Sequence, residues 1–258
     1  MYLIKLGGSV ITKKSTEATF RSQIMNDLSS QISKAGKEVI LVHGAGSFGH
    51  VPAKKYDLQK GFHYDKQRYG FAETQRLVQT LNTYVLSALH KYNLPAVSLP
   101  PHCLLTLKNH EIDDFSMDFF KKYIENGFLP VTYGDVALDS HNGFSICSGD
   151  LLIWLLAKTF QPEKVIFVID EDGVYTKNPK QHSDATLLKN ITTNEIDRLQ
   201  TSLDTHADVT KGMAGKLQTI KKITTLHIDT VLVNGLVPNR VYRSLTDEPN
   251  IQTIVKGE

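Results

Sequence analysis

The sequence is poor in cysteine and shows no export signal. Only two of its 258 residues are cysteine, Cys103 and Cys147, and they lie too far apart in the chain for a CxxC metal or redox motif. We therefore expect two reduced, buried thiols in a reducing cytoplasm. The N-terminal residues 1–6 place their lysine after the apolar side chains, the reverse of the order in a secretory signal, so we expect no export.

Long apolar runs and an excess of one charge are also missing. The apolar stretches 151–157 and 165–169 are far shorter than the ~18 residues that span a bilayer. The formal charge is only +2, from 29 basic and 27 acidic residues that are mixed along the chain. We therefore expect neither a membrane nor a nucleic acid as a partner. Hydrophobic residues at 41% and charged residues at 22% predict a packed globular fold.

The chain does contain a regular alternation of short apolar runs and longer amphipathic segments, which is typical of a layered α/β fold. Several runs are apolar on both faces, as in a parallel sheet that helices cover. The predicted strands are 2–6, 38–42, 96–98, 129–132, 165–169, 230–233 and 252–255. The predicted helices are 22–34, 72–92, 114–126, 149–159 and 212–226. Residues 139–143, Asp-Ser-His-Asn-Gly, predict the tip of a hairpin.

Two glycine clusters follow the first two predicted strands. Residues 7–9 read Gly-Gly-Ser, and residues 44–49 read Gly-Ala-Gly-Ser-Phe-Gly. Because ligands of an open parallel sheet bind outside the carboxyl ends of the strands, both loops should border one crevice. Glycine lets backbone N–H groups approach an anion, and a helix N-terminus adds a favourable dipole. With Lys5 interrupting an apolar strand, these loops predict a phosphate site; the alternative is that the glycines only turn the chain.

Two common phosphate-loop classes match the second cluster poorly. Gly44, Gly46 and Gly49 fit the GxGxxG pattern of dinucleotide-binding oxidoreductases, but no strand ending in an acidic residue is predicted within 58–65. A Walker A loop requires Lys followed by Ser or Thr after the last glycine, and this chain has His50 there. An oxidoreductase therefore stays a distant alternative, and the Walker A interpretation fails.

Six motifs, in order along the chain, together resemble those of the amino acid kinase family. They are KLGGSVITKK (5–14), HGAGSFGH (43–50), YGDV (133–136), SGDLLIWLLA (148–157), VIDEDGVYTKNP (168–179) and DVTKGMAGKLQTI (208–220). The loop that ends in His50 is similar to that of family members that phosphorylate isopentenyl phosphate. The resemblance implies one domain, a three-layer αβα sandwich with an open, mostly parallel sheet. Residues 1–160 would bind the acceptor and residues 161–258 the nucleotide.

The function that the resemblance implies is transfer of the γ-phosphoryl group of ATP to isopentenyl phosphate by a cytoplasmic homodimer. Alternatives are a family member with a phosphonate, carbamate or amino-acid acceptor, and a non-catalytic nucleotide sensor. A phosphate monoester, with a second pKa of about 6, is largely ionised at neutral pH, so no general base is required. Mg²⁺ should arrive with ATP and be held by phosphate oxygens and water, so no metal site built from side chains is expected.

The resemblance also implies roles for individual residues. Catalysis would use Lys5, Lys14, His50, Asp150 and Lys216, with Asp150 holding the lysines and His50 donating an N–H to the acceptor. The ATP site would comprise Lys5, Gly7, Gly8, Ser9, Gly46, Asp170, Tyr175, Lys177, Pro179, Gly212 and Lys216, of which Asp170, Tyr175, Lys177 and Pro179 would hold adenine and ribose. The acceptor phosphate would contact Ala45, Gly46, His50 and Gly149, and its hydrocarbon tail Phe71, Thr74, Val131 and Ile146. Lys211 departs from the family pattern, which commonly has glycine there.

Overall fold

The fold is built from an alternation of strands and helices along the chain. The computed structural model describes residues 1–14, 16, 18–196 and 211–257. The strands are β1 (Tyr2–Leu6), β2 (Val39–His43), β3 (Ala96–Ser98), β4 (Leu105–Lys108), β5 (Glu111–Phe115), β6 (Leu129–Tyr133), β7 (Asp135–Asp139), β8 (Gly143–Cys147), β9 (Lys164–Ile169), β10 (Val174–Tyr175), β11 (Leu187–Leu188), β12 (Asn190–Ile191), β13 (Asp229–Asn234) and β14 (Gln252–Val255). The helices are α1 (Gly8–Ile11), α2 (Ser22–Ala35), α3 (Gly46–Lys55), α4 (Lys66–His90), α5 (Pro101–Leu104), α6 (Asp118–Glu125), α7 (Gly149–Phe160), α8 (Lys211–Thr224) and α9 (Arg240–Thr246).

The main sheet has eight strands among the described residues, in the order β12-β14-β13-β9-β1-β2-β6-β3. Every neighbouring pair is parallel except β13 and β14. Leu6, the last residue of β1, lies opposite His43 of β2 and Val168 of β9. The carboxyl ends of these central strands therefore meet at one edge, as the predicted parallel sheet requires. The two halves of the chain do not mix within this sheet. The early strands β1, β2, β3 and β6 form one side of it, and the later strands form the other.

The two faces of the sheet pack against separate helical layers. Leu3 of β1 belongs to a buried cluster with residues of α7 and α8, including Leu152 and Leu217. Its neighbours Tyr2 and Ile4 point to the other face, where they pack with α2, α4 and α9. This arrangement confirms the predicted αβα sandwich. None of the helices in the described part of the chain has the length and apolar character needed to cross a membrane.

A smaller mixed sheet has the order β5-β4-β7-β8, in which β4 and β7 are parallel and the two outer pairs are antiparallel. The predicted hairpin tip at 139–143 is confirmed, because β7 and β8 are antiparallel and end there. Asp139 is buried at this tip, where its carboxylate accepts hydrogen bonds from the backbone N–H groups of Asn109, His110, His141 and Asn142 and from the Ser145 hydroxyl. The carboxylate thus joins the β4–β5 turn to the β7–β8 turn.

Two predictions are wrong at the level of local structure. Residues 114–126 are not one helix: residues 111–115 form β5, whose Ile112 and Phe115 pack on the core, and the helix begins at Asp118. The apolar residues of that stretch fit a helical repeat and a strand almost equally well, and pairing with β4 decides between them. Cys103 is exposed on α5, whereas Cys147 is buried as expected.

Candidate active site

The two glycine loops lie back to back at the carboxyl edge of the sheet. A Cβ atom on Gly8 would lie only 2.6 Å from both the Cα and the N atom of Gly46. The two loops can therefore approach this closely only because position 8 is glycine. Thr12 ties the loops together, because its hydroxyl donates to the Gly8 carbonyl and accepts from the Ser47 N–H. Both loops therefore border one crevice, as the strand order predicts.

Two adjoining cavities occupy this crevice. The outer cavity, about 400 Å³, is lined by Gly7, Ser9, Lys14, Gly46 and Asp170 among others. The inner cavity, about 200 Å³, is lined by Lys5, Ala45, Thr74, Ile146, Gly149 and Asp150 among others. His50 and Lys216 line both, so they stand at the junction. The structure thus places two pockets end to end with cationic and N–H donors between them.

Lys5 and Asp150 form the central ion pair of the site. Lys5 is buried on β1, and its ammonium lies 3.0 Å from a carboxylate oxygen of Asp150 in the first turn of α7. Ser148 caps the N-terminus of that helix, because its hydroxyl accepts from the Leu151 N–H. Burial alone would raise the pKa of Asp150, but the charges of Lys5 and Lys216 outweigh it and hold the pKa below its usual range. Asp150 is therefore an anion paired with Lys5 and influenced by the charge of Lys216, and its role in holding both lysines for catalysis stays a prediction.

The surroundings of Lys216 disfavour its charged ammonium form. Burial, and then the neighbouring charge of Lys5, lower the pKa of Lys216 to about 8, although Asp150 and Asp170 act in the opposite direction. A phosphate group beside it would favour the ammonium form again, because an opposite charge stabilises the charged state. The site therefore concentrates positive charge that an anionic ligand would relieve.

His50 lies in the second turn of α3, where it is exposed and lines both cavities. Surrounding protein atoms reduce the solvation of the charged imidazolium and so lower the pKa of His50. The nearby charges of Lys5 and Lys216 lower this pKa further. The imidazole is accordingly neutral at pH 7, with one N–H donor and one acceptor nitrogen. Such a ring can donate a hydrogen bond to an anion without adding another positive charge.

Asp170, the residue after β9, lies beside the phosphate loops. The Ser9 hydroxyl donates to one of its carboxylate oxygens at 2.9 Å, and the Lys14 ammonium lies 3.0 Å from the other. Burial would raise the pKa of Asp170, but these partners lower it overall. Asp170 therefore lies with Ser9 and Lys14 at the outer cavity, and its assignment to adenine and ribose stays a prediction.

Three of the remaining nucleotide candidates, Tyr175, Lys177 and Pro179, are not among the described residues that line the two cavities. Tyr175 pairs with Leu187 in the β10–β11 hairpin, and Lys177 forms an ion pair with Asp184 just beyond it. Pro179 follows in the same turn region. Gly212 and Lys211 stand in the first turn of α8, and their surroundings lie outside the described residues. The structure neither joins these residues to the outer cavity nor assigns them another role.

The four tail candidates are not equivalent. Thr74 and Ile146 line the inner cavity. Phe71 packs on Phe144 at a centroid distance of 5.3 Å, in a small cluster behind the cavity wall. Val131 is fully buried in β6, within the core cluster that α2 and α4 cover. Val131 therefore belongs to the hydrophobic core, and its apolar character alone could not reveal this.

Sequence reasoning missed several residues of the inner cavity. Gly134, Asp135 and Val136 line it, as do Ala53 and Val78. A Cβ on Gly134 would lie 3.1 Å from the Gly149 nitrogen and 3.5 Å from the Ala45 nitrogen. Gly134 directly follows β6, so a glycine after a third strand at the same edge was the signal that could have identified it.

Two further expectations concern metals and dinucleotides. Within the described ranges, no three His, Cys, Asp or Glu side chains converge as a metal site. The segment after the second glycine loop contains a single 3₁₀ turn at Leu58–Lys60, followed by α4. It therefore lacks the strand that a dinucleotide-binding fold would need there.

An open parallel sheet, two glycine loops and a cluster of lysines define a phosphate-binding α/β protein with two adjoining anion pockets. The chain belongs to the amino acid kinase family, whose profile matches residues 1–234. It is 38% identical to an isopentenyl phosphate kinase of Methanothermobacter thermautotrophicus over 100% of both chains. It is 32% identical to an isopentenyl phosphate kinase of Thermoplasma acidophilum over 99% of this chain and 100% of that protein. A solved structure titled as an isopentenyl phosphate kinase superposes with a TM-score of 0.88 at 36% identity, covering 99% of this chain and 100% of that one.

Proposed function

We propose that the protein transfers the γ-phosphoryl group of ATP to isopentenyl phosphate and releases isopentenyl diphosphate and ADP. The observation that carries this proposal is the pair of cavities joined at His50 and Lys216. Full-length relatives at 38% and 32% identity that are isopentenyl phosphate kinases support the choice of acceptor. The inner cavity is small and combines cationic and amide donors with an aliphatic wall that includes Val78 and Ile146, which suits a short branched alkyl phosphate.

ATP would place its phosphates in the outer cavity, and the acceptor phosphate would lie in the inner one. The transferred group would then pass beside Lys216 and Lys5, whose charges neutralise the oxygens of the moving phosphoryl group. Lys14 would approach the same group from the outer side. The acceptor oxygen is already ionised at neutral pH, since the second phosphate pKa is about 6. The residues therefore position the two substrates and neutralise the charge of the phosphoryl oxygens, and none has to remove a proton from the acceptor.

His50 would hold the acceptor phosphate through a neutral N–H. Backbone N–H groups of Ala45 and Gly149 are available at the same place, because the first N–H groups of a helix have no acceptor within it. A neutral donor suits a pocket in which Lys5 and Lys216 already provide positive charge. Mg²⁺, held by phosphate oxygens and water, would neutralise further charge on ATP, and Asp170 is the carboxylate that lines the outer cavity for a water-mediated contact.

We also propose that the protein works in the cytoplasm as a homodimer, with residues 1–160 binding the acceptor and residues 161–258 the nucleotide. The free thiols Cys103 and Cys147 suit a reducing compartment. The family resemblance supports the homodimer, and light scattering on the purified protein would measure it.

A panel of acceptors tests the reaction directly. We expect kcat/KM to be highest for isopentenyl phosphate when alkyl monophosphates are compared with a phosphonate, carbamate and amino acids in the presence of MgATP. A higher value for any non-phosphate acceptor would contradict the proposal. ATP binding without acceptor-dependent ADP release would instead identify a nucleotide sensor.

His50→Ala separates the acceptor role of His50 from nucleotide binding. We expect kcat with isopentenyl phosphate to fall by about two orders of magnitude, in the range for loss of one transition-state donor, while the Kd of ATP stays nearly the same. Steady-state kinetics and calorimetric titration with ATP would measure the two effects. His63→Ala is the matched control, because the exposed His63 ring donates to the nearby Lys60 carbonyl and is not among the described residues that line either cavity. Unchanged kinetics in His50→Ala would remove the role assigned to it.

A further inference from the structure

A chain of polar side chains leads from the surface of α4 to the wall of the inner cavity. Nδ1 of His102, on α5, lies 2.6 Å from a carboxylate oxygen of Asp135, the first residue of β7. The other oxygen of Asp135 accepts from the Val136 N–H at 2.8 Å. On its outer side, Nε2 of His102 lies 3.2 Å from the amide nitrogen of Gln79. Because an amide N–H can only donate, these partners fit an imidazole that carries its proton on Nδ1 and donates it to Asp135.

This carboxylate is buried completely. The side chain of Asp135 has no solvent exposure, and that of His102 is only 14% exposed. Burial raises the pKa of Asp135, and the hydrogen bonds from His102 and Val136 counteract the rise. A buried carboxylate that loses its donor is costly, since neither water nor another group replaces the lost hydrogen bond. The hydrogen bond from His102 is thus one of the two that hold the Asp135 carboxylate in place.

Asp135 occupies the corner at which the chain leaves the main sheet for the small one. Gly134 precedes it, and its N–H donates to the His43 carbonyl at 2.9 Å. The α-carbon of Gly134 faces the nitrogens of Gly149 and Ala45, which are the amides expected to receive the acceptor phosphate. A displacement of this corner would therefore push backbone atoms against the acceptor amides, while the outer cavity would be left unchanged.

We propose that His102 and Asp135 are positioning residues for the phosphate acceptor: their hydrogen bond fixes the corner at Gly134 and so keeps the Ala45 and Gly149 amides open to the acceptor. Neither side chain touches a substrate. This inference rests on the proposed function insofar as it takes the inner cavity to be the acceptor site. It predicts a defect that is confined to acceptor binding.

Substitution at His102 tests the inference. We expect His102→Leu to raise the KM of the acceptor by about tenfold or more, and to change the KM of ATP by less than about twofold. His102→Asn should recover most of the loss, because the amide nitrogen of asparagine can occupy the position of Nδ1 and donate to Asp135. Asp135→Asn keeps the shape of the corner but leaves one acceptor oxygen for two donors, the His102 Nδ1–H and the Val136 N–H, so we expect the same acceptor-selective rise.

The controls separate this role from general damage. His90→Leu is matched, because exposed His90, the last residue of α4, donates one hydrogen bond to the Ala96 carbonyl and is not among the residues that line either cavity. It should leave both KM values unchanged. Equal increases in the two KM values, an unchanged acceptor KM, or a His102→Asn variant as impaired as His102→Leu would each overturn the inference. If His102→Leu does not fold, Asp135→Asn and His102→Asn decide the outcome.

The two proposals fail in different ways. A wild-type protein that does not phosphorylate isopentenyl phosphate contradicts the proposed function alone. The comparison of variants is then made with whichever acceptor of the panel the wild type uses. A wild type that is active with isopentenyl phosphate, combined with unaltered variants, contradicts the positioning role alone.

Discussion

The charge of Lys216 depends on whether an anion lies beside it. In the free protein, burial and Lys5 bring its pKa to about 8, so the ammonium form is lost as the pH rises through that value. ATP phosphates favour the charged form, and the two effects together couple nucleotide binding to uptake of a proton. Among single residues, Lys216 is therefore where pH acts on ATP affinity.

We expect the Kd of ATP to rise between pH 7 and pH 9, by up to about tenfold per pH unit once the pH exceeds the pKa of Lys216. Calorimetric titration of ATP at several pH values, in buffers of different ionisation enthalpy, would measure both the affinity and the proton uptake. Lys216→Arg should remove this pH dependence, since the guanidinium stays charged over the whole range. A pH-dependent Kd that persists in Lys216→Arg would assign the titration to another group.

A single site residue could be predicted from the sequence when it interrupts the pattern of its neighbours. Lys5 was detectable because a charge interrupts the apolar strand β1, and His50 because it ends a glycine loop. Asp135 and His102 gave no such signal, because a buried aspartate has the same letter as a surface one and its partner lies 33 residues away. Val131 was misplaced for the same reason: only the packing of β6 distinguishes a core valine from a pocket valine.

Among the secondary-structure elements, the small sheet depends on one carboxylate. Asp139 receives hydrogen bonds from both turns of β4–β5 and β7–β8. Burial opposes ionisation, but these donors outweigh it and hold the pKa of Asp139 far below its usual range. Since the folded pKa is depressed, the contribution to stability is present above the unfolded value of about 3.9 and is lost as the pH falls below it toward the folded value.

Asp139→Asn should lower the free energy of unfolding by about 3 kcal/mol at pH 7, because one acceptor oxygen becomes a donor that faces backbone N–H groups. Urea denaturation at pH 7 and at pH 3 would measure the difference, which should be smaller at pH 3. Asp113→Asn, an exposed position on β5, is the matched control and should have little effect. Equal stabilities of Asp139→Asn and wild type at pH 7 would show that the turns do not depend on this carboxylate.

The elements of the main sheet were largely predictable, because buried parallel strands form continuous apolar runs. All seven predicted strands exist, with ends that differ by no more than about two residues, within the usual uncertainty of boundaries. The β4–β5 hairpin was not predicted, since an exposed strand with two adjacent aspartates, Asp113 and Asp114, lacks the apolar content of a core strand. The strand β5 is defined by its pairing with β4, which the apolar pattern of its own residues does not contain.

The protein taken as a unit stores unfavourable electrostatic energy at the buried ammonium of Lys216. The pKa of Lys216 is lower in the folded protein than in the unfolded chain. At pH 7 its ammonium group is therefore less stable in the folded state, and this difference lowers the free energy of unfolding. A ligand that binds only the folded state reverses this, by about 2.7 kcal/mol when its concentration is 100 times Kd. Binding and stability are therefore linked through the same side chain.

We expect Lys216→Met to raise the melting temperature of the ligand-free protein by a few degrees at pH 7, and to abolish most of the further rise that ATP produces in the wild type. Differential scanning fluorimetry with and without MgATP would record both changes. Lys34→Met, at an exposed position on α2, serves as the control and should retain the full ATP-induced rise. A Lys216→Met protein that melts below wild type without ligand would contradict this account of the cost.

The contact between the Gly8 and Gly46 backbones restricts how a protein of this design can acquire a new acceptor. Neither loop can gain a side chain at these positions without colliding with the other, and a longer loop would displace its neighbour together with the seat of the triphosphate. We therefore expect evolutionary or laboratory changes in acceptor choice to occur in the cavity walls on α4 and β8. Thr74 and Ile146 can vary there while the glycine loops stay unchanged.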